Sequence, residues 1–290
     1  MHLEKTIRIG ALNIKTIPHS PETYISLFDN AQKRRTATNF RGNNYAIIGE
    51  FSLFPDSEKN NPIYFGKINC YTDFDLDRPW FDKAAGKEAS EEELASIPRN
   101  LRPEFKAIEF VFFPLRHRLF FRLDLSHSSI KRIIQEILIQ NKQRSDVHQI
   151  DVQIEQQSEH LENIFNLKEL RKLEIVISRP NPDDTGKYDK IIKERLSKQK
   201  AAKLTTVLEA EHGQSLDPDP ETRKMATLAL SDGVVRGHGL DEKGRVIDKS
   251  TEKHPLTMNA TFNPQEQDAF EVMREKAIKA LEDIRSRIPK

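Results

Sequence analysis

Ile130, Ile133, Ile134, Ile137 and Leu138 recur at the i, i+3, i+4, i+7, i+8 spacing of a single helix face. This predicts a helix over 128–142, and an apolar stripe that wide needs a layer to lie on. The flanking residues read as that layer. Residues 106–113 and 117–123 are strand-like runs split by Pro114, and 147–154 alternates through Ile150, Val152 and Ile154 as a half-buried strand does. Earlier, 5–17 carries Ile7, Ile9, Leu12 and Ile14, a period of two with a slip near Gly10 that suggests a bulge. Residues 45–54 and 63–71 read as a hairpin around the polar loop 56–62. Ser20 as N-cap and Pro21 at the first helical position begin a short helix that ends near Lys33, with Tyr24, Leu27 and Phe28 on one face. Strands in sequential hairpins pair antiparallel. The predicted class is α+β: antiparallel sheets with flanking helices and a long C-terminal helix.

At 290 residues the chain is long enough for two domains. The expected division is 1–145 and 146–290, with the boundary placed loosely within 143–185. Residues 73–104 hold Asp73, Asp75 and Asp77, the run Glu91-Glu92-Glu93 and three prolines, and read as a partly helical surface insertion. In the second half the expected elements are a helix at 158–167, a strand at 172–178 stopped by Arg179-Pro180, a helix over 187–208, a turn at 216–221, and short strands at 225–231 and 234–249. A terminal helix is expected to be capped by Asn263, with Pro264 first and Glu266 third. Its Phe270, Met273, Ala277, Leu281, Ile284 and Ile288 are spaced for either a core face or a dimer seam; we take them as a dimer interface.

Charged residues make up 31% of the chain, yet the net charge is +1, so any basic surface must be local. One segment is. Lys187, Lys190, Lys193, Arg195, Lys198, Lys200 and Lys203 face only Asp189 and Glu194, for a net of +5. On a helix Lys187, Lys190, Lys193 and Lys200 would share about a third of the circumference. Lysines so arranged suit phosphates, through counterion release. The same segment would serve equally as a solvated helix face. Arg116, His117 and Arg118, with Lys131 and Arg132, form a second basic group that also reads as ordinary strand-end charge.

Catalytic motifs are weaker. Arg122 and His127 have the Arg-x4-His spacing of the helical HEPN ribonucleases, but in a strand rather than a helix. Gly237 to Arg245 imitates a phosphate loop without the Gly-Lys-Ser/Thr ending and reads as a hairpin turn. Asp183-Asp184 lacks the following Glu-x-Lys strand of a metal-dependent nuclease. Asp73, Asp75 and Asp77 lack the glycine and the distal Glu of a calcium loop. The nine histidines form no ligand pair, and the single Cys70 excludes cysteine-based metal clusters and an internal disulfide. No metal or cofactor is expected. Lone Cys70 and the lack of an apolar stretch at the N-terminus suggest a cytoplasmic protein without membrane insertion.

The layout resembles the RexA-like phage-exclusion proteins and bacterial proteins built on the same plan. The resemblance begins with Ile7-Arg-Ile-Gly-Ala-Leu-Asn-Ile-Lys15, a short helix, and the pair Asn44-Tyr-Ala-Ile-Ile-Gly and Ile63-Tyr-Phe-Gly-Lys-Ile. It resumes with Leu173-Glu-Ile-Val-Ile-Ser-Arg-Pro180 before the lysine-rich segment, then Thr227-Leu-Ala-Leu-Ser-Asp-Gly-Val-Val-Arg-Gly-His238, and closes on the terminal helix. It spans most of the chain outside 73–104. It implies a two-domain α+β homodimer that binds DNA with little sequence preference and senses phage infection for a separate effector. The expectation is therefore a non-enzymatic DNA-binding sensor, RNA being an open second ligand, with Lys187, Lys190, Lys193, Lys198, Lys200 and Lys203 on the phosphates. A ribonuclease or nuclease toxin using Arg122 and His127 is the second reading. The third is a protein-sensing module that binds no nucleic acid.

Overall fold

Lys5–Ile17 (β1) is the strand around which the larger sheet is built. It is followed by Pro21–Arg34 (α1), Thr38–Arg41 (β2), Asn44–Leu53 (β3) and Tyr64–Thr72 (β4). The surface insertion holds Phe81–Asp82 (β5), Lys87–Glu88 (β6) and Glu91–Ala95 (α2). Then come Lys106–Phe113 (β7), Arg118–Arg122 (β8), His127–Asn141 (α3), Gln149–Ile154 (β9), Ser158–Phe165 (α4) and Glu169–Ser178 (β10). The chain continues through Lys187–Lys198 (α5), Lys203–Glu209 (β11), Pro220–Asp232 (α6), Gly233–Leu240 (β12), Val246–Ser250 (β13), Thr257–Phe262 (β14) and Ala269–Ser286 (α7). This computed structural model describes residues 4–58, 60–142, 147–179 and 187–287, without the side chains of 187–189 and 285.

The fold is α+β. An eight-stranded antiparallel sheet runs β14-β1-β8-β7-β4-β3-β2, and β9 pairs with the far half of β1 beside β14. Helices α1 and α3 cover one face, and α7 covers the other. Both faces are therefore buried, which is why β1 reads Ile-Gly-Ala-Leu-Asn-Ile at the start of eight consecutive buried residues, Ile9 to Thr16. The bulge expected at Gly10 is corrected on this account, since β1 keeps continuous register with β14, β8 and β9. Gly10 has another use: a Cβ there would lie 2.7 Å from both His127 and Phe121.

A four-stranded antiparallel sheet, β11-β10-β12-β13, carries α4, α5 and α6 on one face only. Three sequence expectations change in this region. Residues 225–231 belong to helix α6, with Asp219 capping Thr222 N–H and Pro220 in the first turn. A short apolar run does not distinguish strand from helix, and only Asp219-Pro220 carried the signal. The helix expected over 187–208 ends at Lys198, because Lys200 turns to φ 53° and the β-branched run after it joins β10 as β11. The terminal helix starts at Ala269 under Asp268, while Asn263 caps only a turn at Gln265.

The helix face expected as a dimer seam packs within its own chain. Met273, Ala277 and Ile284 are almost wholly buried, and Phe270 and Leu281 pack with them against β7, β8 and β14 of the same chain. Ile288 lies outside the described residues. A linear division at 145/146 likewise cuts through the eight-stranded sheet, since β9, β14 and α7 all come from the second half.

Candidate functional site

Where the two sheets meet, the polar residues of β1 turn inward. Asn13 Nδ2 donates to Ser231 O at 3.1 Å and to Asp232 Oδ1 at 3.3 Å, at the C-terminal end of α6. Asn13 Oδ1 accepts from Arg118 Nη1 at 2.7 Å. Arg118 Nε lies 2.5 Å from Glu155 Oε1, and Glu155 Oε2 accepts from Ser231 Oγ at 2.9 Å. Lys15 Nζ donates to Asp232 Oδ1 at 3.0 Å and to Ser178 Oγ at 2.8 Å, and lies 3.4 Å from Asp151 Oδ2. Lys15, Arg118, Glu155 and Asp232 are all buried, two cations matched by two carboxylates. Pairing of this kind is what permits charge inside a protein. His117 lies beside them, fully buried. Burial first, and then the nearby positive charge of Arg118, hold its imidazole well below the usual histidine range.

Two cavities open on either side of Ser178. One, of about 250 Å³, is lined by Lys15, Thr16, His19, Asp151, Arg179 and Lys193 among others. The other, of about 500 Å³, is lined by Lys131, Gln153, Ser178, Lys203, Arg236 and Glu252 among others. Ser178, which pairs in register with Lys203, lines both cavities.

The basic segment divides between these cavities and the surface. Lys190, Lys198 and Lys200 are exposed, Lys193 is half-buried in the wall of the smaller cavity, and Lys203 is exposed at the edge of the larger. Lys198 faces Glu194 at 3.8 Å. Among the described residues no carboxylate lies within ion-pair distance of Lys190, Lys200 or Lys203. The side chain of Lys187 lies outside the described residues. Lys131, from the second basic group, joins Lys203 at the larger cavity. Its companions His117 and Arg118 belong to the buried junction. Sequence reading missed Lys15, Arg179 and Asp232. The available signal was Asn13 and Lys15 interrupting an apolar strand.

The Lys15–Ser178 contact has the residue types of a lysine-activated serine, but its hydrogen bonds run the wrong way for that chemistry. Lys15 Nζ donates to Ser178 Oγ, and the Ser178 hydroxyl donates to Asp232 O at 2.6 Å. Arg122 and His127 are separated by the larger sheet. Arg122 binds Glu109 and Asp124 and lines a cavity beside Asp268 and Ala269 on the α7 side. His127 stands edge-on to Phe121 on the α3 side and contacts Leu256 O at 3.1 Å. Burial pushes its imidazole below the usual range.

The uncovered face of the smaller sheet is charge-balanced across its strands. Lys172 pairs with Glu209 at 2.7 Å, Arg236 with Glu174 at 2.8 Å, and His238 with Asp248 at 2.7 Å. It presents no aromatic platform of the kind that stacks single-stranded bases. Among the described residues, no three His, Cys, Asp or Glu side chains come together as a metal site, and no helix is long and apolar enough to cross a membrane.

The model of one protein family, described as a domain of unknown function, DUF4747, matches residues 5–278. The chain belongs to the DUF4747 family. The match runs from β1 into α7, so both sheets and the charged junction of this DUF4747 chain lie within the family's domain. No protein of curated function matches the chain.

Proposed function

We propose that this protein binds the phosphate backbone of DNA without reading base sequence, as the sensing part of a phage-exclusion system. The observation that carries the binding is the convergence of basic residues on the Ser178 junction. Lys193 and Arg179 line one cavity and Lys203 and Lys131 the other, while Lys190 and Lys200 are exposed on and just after α5. These residues come from α3, α5, β11 and the residues just after β10 and α5, so the basic surface is assembled by the fold. Lysine and arginine in neighbouring cavity walls suit a string of phosphates, and the lack of aromatic side chains on the uncovered face of the smaller sheet favours duplex over stacked single strands there. The resemblance to the RexA-like exclusion proteins supports the sensing role. Binding rather than catalysis is favoured by the opposite placement of Arg122 and His127. Since the chain's own sheet occupies the apolar face of α7, a two-sided grip by a homodimer would use another surface.

The test is fluorescence anisotropy with labelled duplex DNA, single-stranded DNA and RNA across a salt series, including the Lys190→Glu/Lys193→Glu/Lys200→Glu variant. Duplex affinity is expected to fall with log salt by about 0.9 log units per neutralised phosphate, with little change between sequences. The variant should lose most of the binding. No binding to any of the three at low salt would overturn the reading.

A further inference from the structure

Among the described residues, β11 pairs only with β10, which leaves its outer edge open. Two hydrogen bonds frame the pairing: Arg179 N–H donates to Ala202 O, and Ala210 N–H donates to Arg171 O. They show which way the backbone of β11 points. Hydrogen-bonded and non-hydrogen-bonded pairs alternate along an antiparallel ladder, so the even-numbered residues of β11 face β10. Lys203, Thr205, Val207 and Glu209 therefore direct their N–H and C=O groups away from the sheet. Proteins commonly protect such an edge with a proline, a bulge or a charge in mid-strand. The other edge of this sheet does so, since β13 carries Asp248 and Lys249. β11 does not. Its register with β10 is continuous, and between Lys203 and Glu209 it reads Leu-Thr-Thr-Val-Leu, with Val207 47% exposed.

We infer that β11 pairs antiparallel with β11 of a second copy of this chain, about a two-fold axis through Thr206. An isologous strand pair requires a segment complementary to its own reverse, and β11 is one. Centring on Thr206 sets Lys203 opposite Glu209 of the second copy and Thr205 opposite Val207, and the reverse. These are the outward-facing residues, so each pair exchanges both backbone hydrogen bonds. Moving the axis to Thr205 or Val207 shortens the overlap and takes Lys203 off Glu209. On the open face, Lys203 has no carboxylate within ion-pair distance among the described residues. Glu209 is 65% exposed, and Lys172 holds one of its oxygens at 2.7 Å, which leaves the other for Lys203 of the second copy. On the helix-covered face, half-buried Leu204 meets Leu208 of the second copy, which extends the apolar layer beneath the helices. Opposite charges and apolar side chains set across an antiparallel pair both stabilise it. Two four-stranded sheets thus become one continuous sheet, and the two-fold closure stops it growing into a fibre.

The inference does not depend on nucleic acid, so the test is sedimentation velocity of the full chain alone. Concentrations from about 1 to 300 µM suit a strand pair, which lies at the small end of interface sizes. A monomer–dimer equilibrium is expected. Lys203→Glu and Glu209→Lys each set like charges across the pair, and each alone should weaken the dimer about tenfold. Mixed one to one, the two variants carry opposite charges at both ends of the pair, and the dimer should return. That recovery separates the edge from a loss of folding, which a circular-dichroism melt checks in each variant. Thr206→Cys adds a readout of register. At the two-fold axis it forms a non-hydrogen-bonded pair with Cα atoms about 4.5 Å apart, within disulfide reach, so mild oxidation should give a covalent dimer. Cys70 is buried and does not compete. A monomer at every concentration overturns the inference and leaves the edge to a strand of another protein. A dimer that both single variants leave intact, or a mixture that fails to recover it, overturns this surface.

Discussion

Lys15 joins the two sheets through Asp232, Ser178 and Asp151, so its removal is a test of the junction itself. Lys15→Ala leaves Asp232 buried without its cation. The expected loss is about 3–5 kcal/mol in urea unfolding, because a stranded buried charge keeps its desolvation cost. The double substitution Lys15→Met/Asp232→Leu should lose less than Lys15→Ala alone, since it removes the fully buried carboxylate together with its cation. His117 makes stability depend on pH. The folded chain holds it neutral, while the unfolded chain titrates it near the ordinary value of about 6.5. Its contribution is complete above that pH. Below it the unfolded chain takes up a proton that the folded chain refuses, and stability falls by about 1.4 kcal/mol per pH unit. Urea midpoints measured from pH 7.5 to 5.5 should therefore fall with acid. They should fall less steeply in His117→Gln, where His127 and His254, shifted in the same direction, still titrate.

At the scale of elements, α6 and α7 give the sharpest expectations. Helix α6 delivers Ser231 and Asp232 to the junction and is capped by Asp219, so Asp219→Ala should cost about 1 kcal/mol. Helix α7 packs into its own chain. Met273→Ala should therefore cost about 2–5 kcal/mol by opening a cavity, while gel-filtration size stays unchanged. A shift in oligomer size with stability intact would restore the dimer seam. The end of α5 joins both themes. Lys200 occupies a left-handed conformation that glycine adopts without strain. Lys200→Gly should raise stability by about 0.5–1 kcal/mol while lowering the salt slope of DNA binding by about one unit. The acidic run 91–93 is explained at this scale too: it fills the first turn of α2, where Ser90 and Glu93 close a capping box.

For the whole molecule, the consequence of the topology is that the halves do not separate. β1 takes β9 and β14 from the second half, and α7 closes the face opposite α1 and α3. A fragment ending at residue 145 would expose Val111, Phe113 and Phe120, all buried under α7 in the full chain. It should be insoluble or lack a cooperative melt by circular dichroism, while the full chain melts cooperatively. The basic groove obeys the same logic. Lys131 is far in sequence from Arg179, Lys193 and Lys203, and it reaches the wall of the cavity that Lys203 also lines only through the fold. An overall charge of +1 carried no trace of it.

What the sequence determined by itself was local. Periodicity placed α3 and α1, alternation placed β9, and the sequential hairpins placed the α+β class, because each follows from which side of a short segment must leave water. The lysine count of 187–203 was legible for the same reason. Tertiary structure decided the rest. It made 225–231 a helix, turned the face of α7 inward, and drew strands of both halves into one sheet. It also buried Lys15 against Asp232, 217 residues away. Those outcomes depend on pairing between distant segments, where burial on a second surface outweighs local preference.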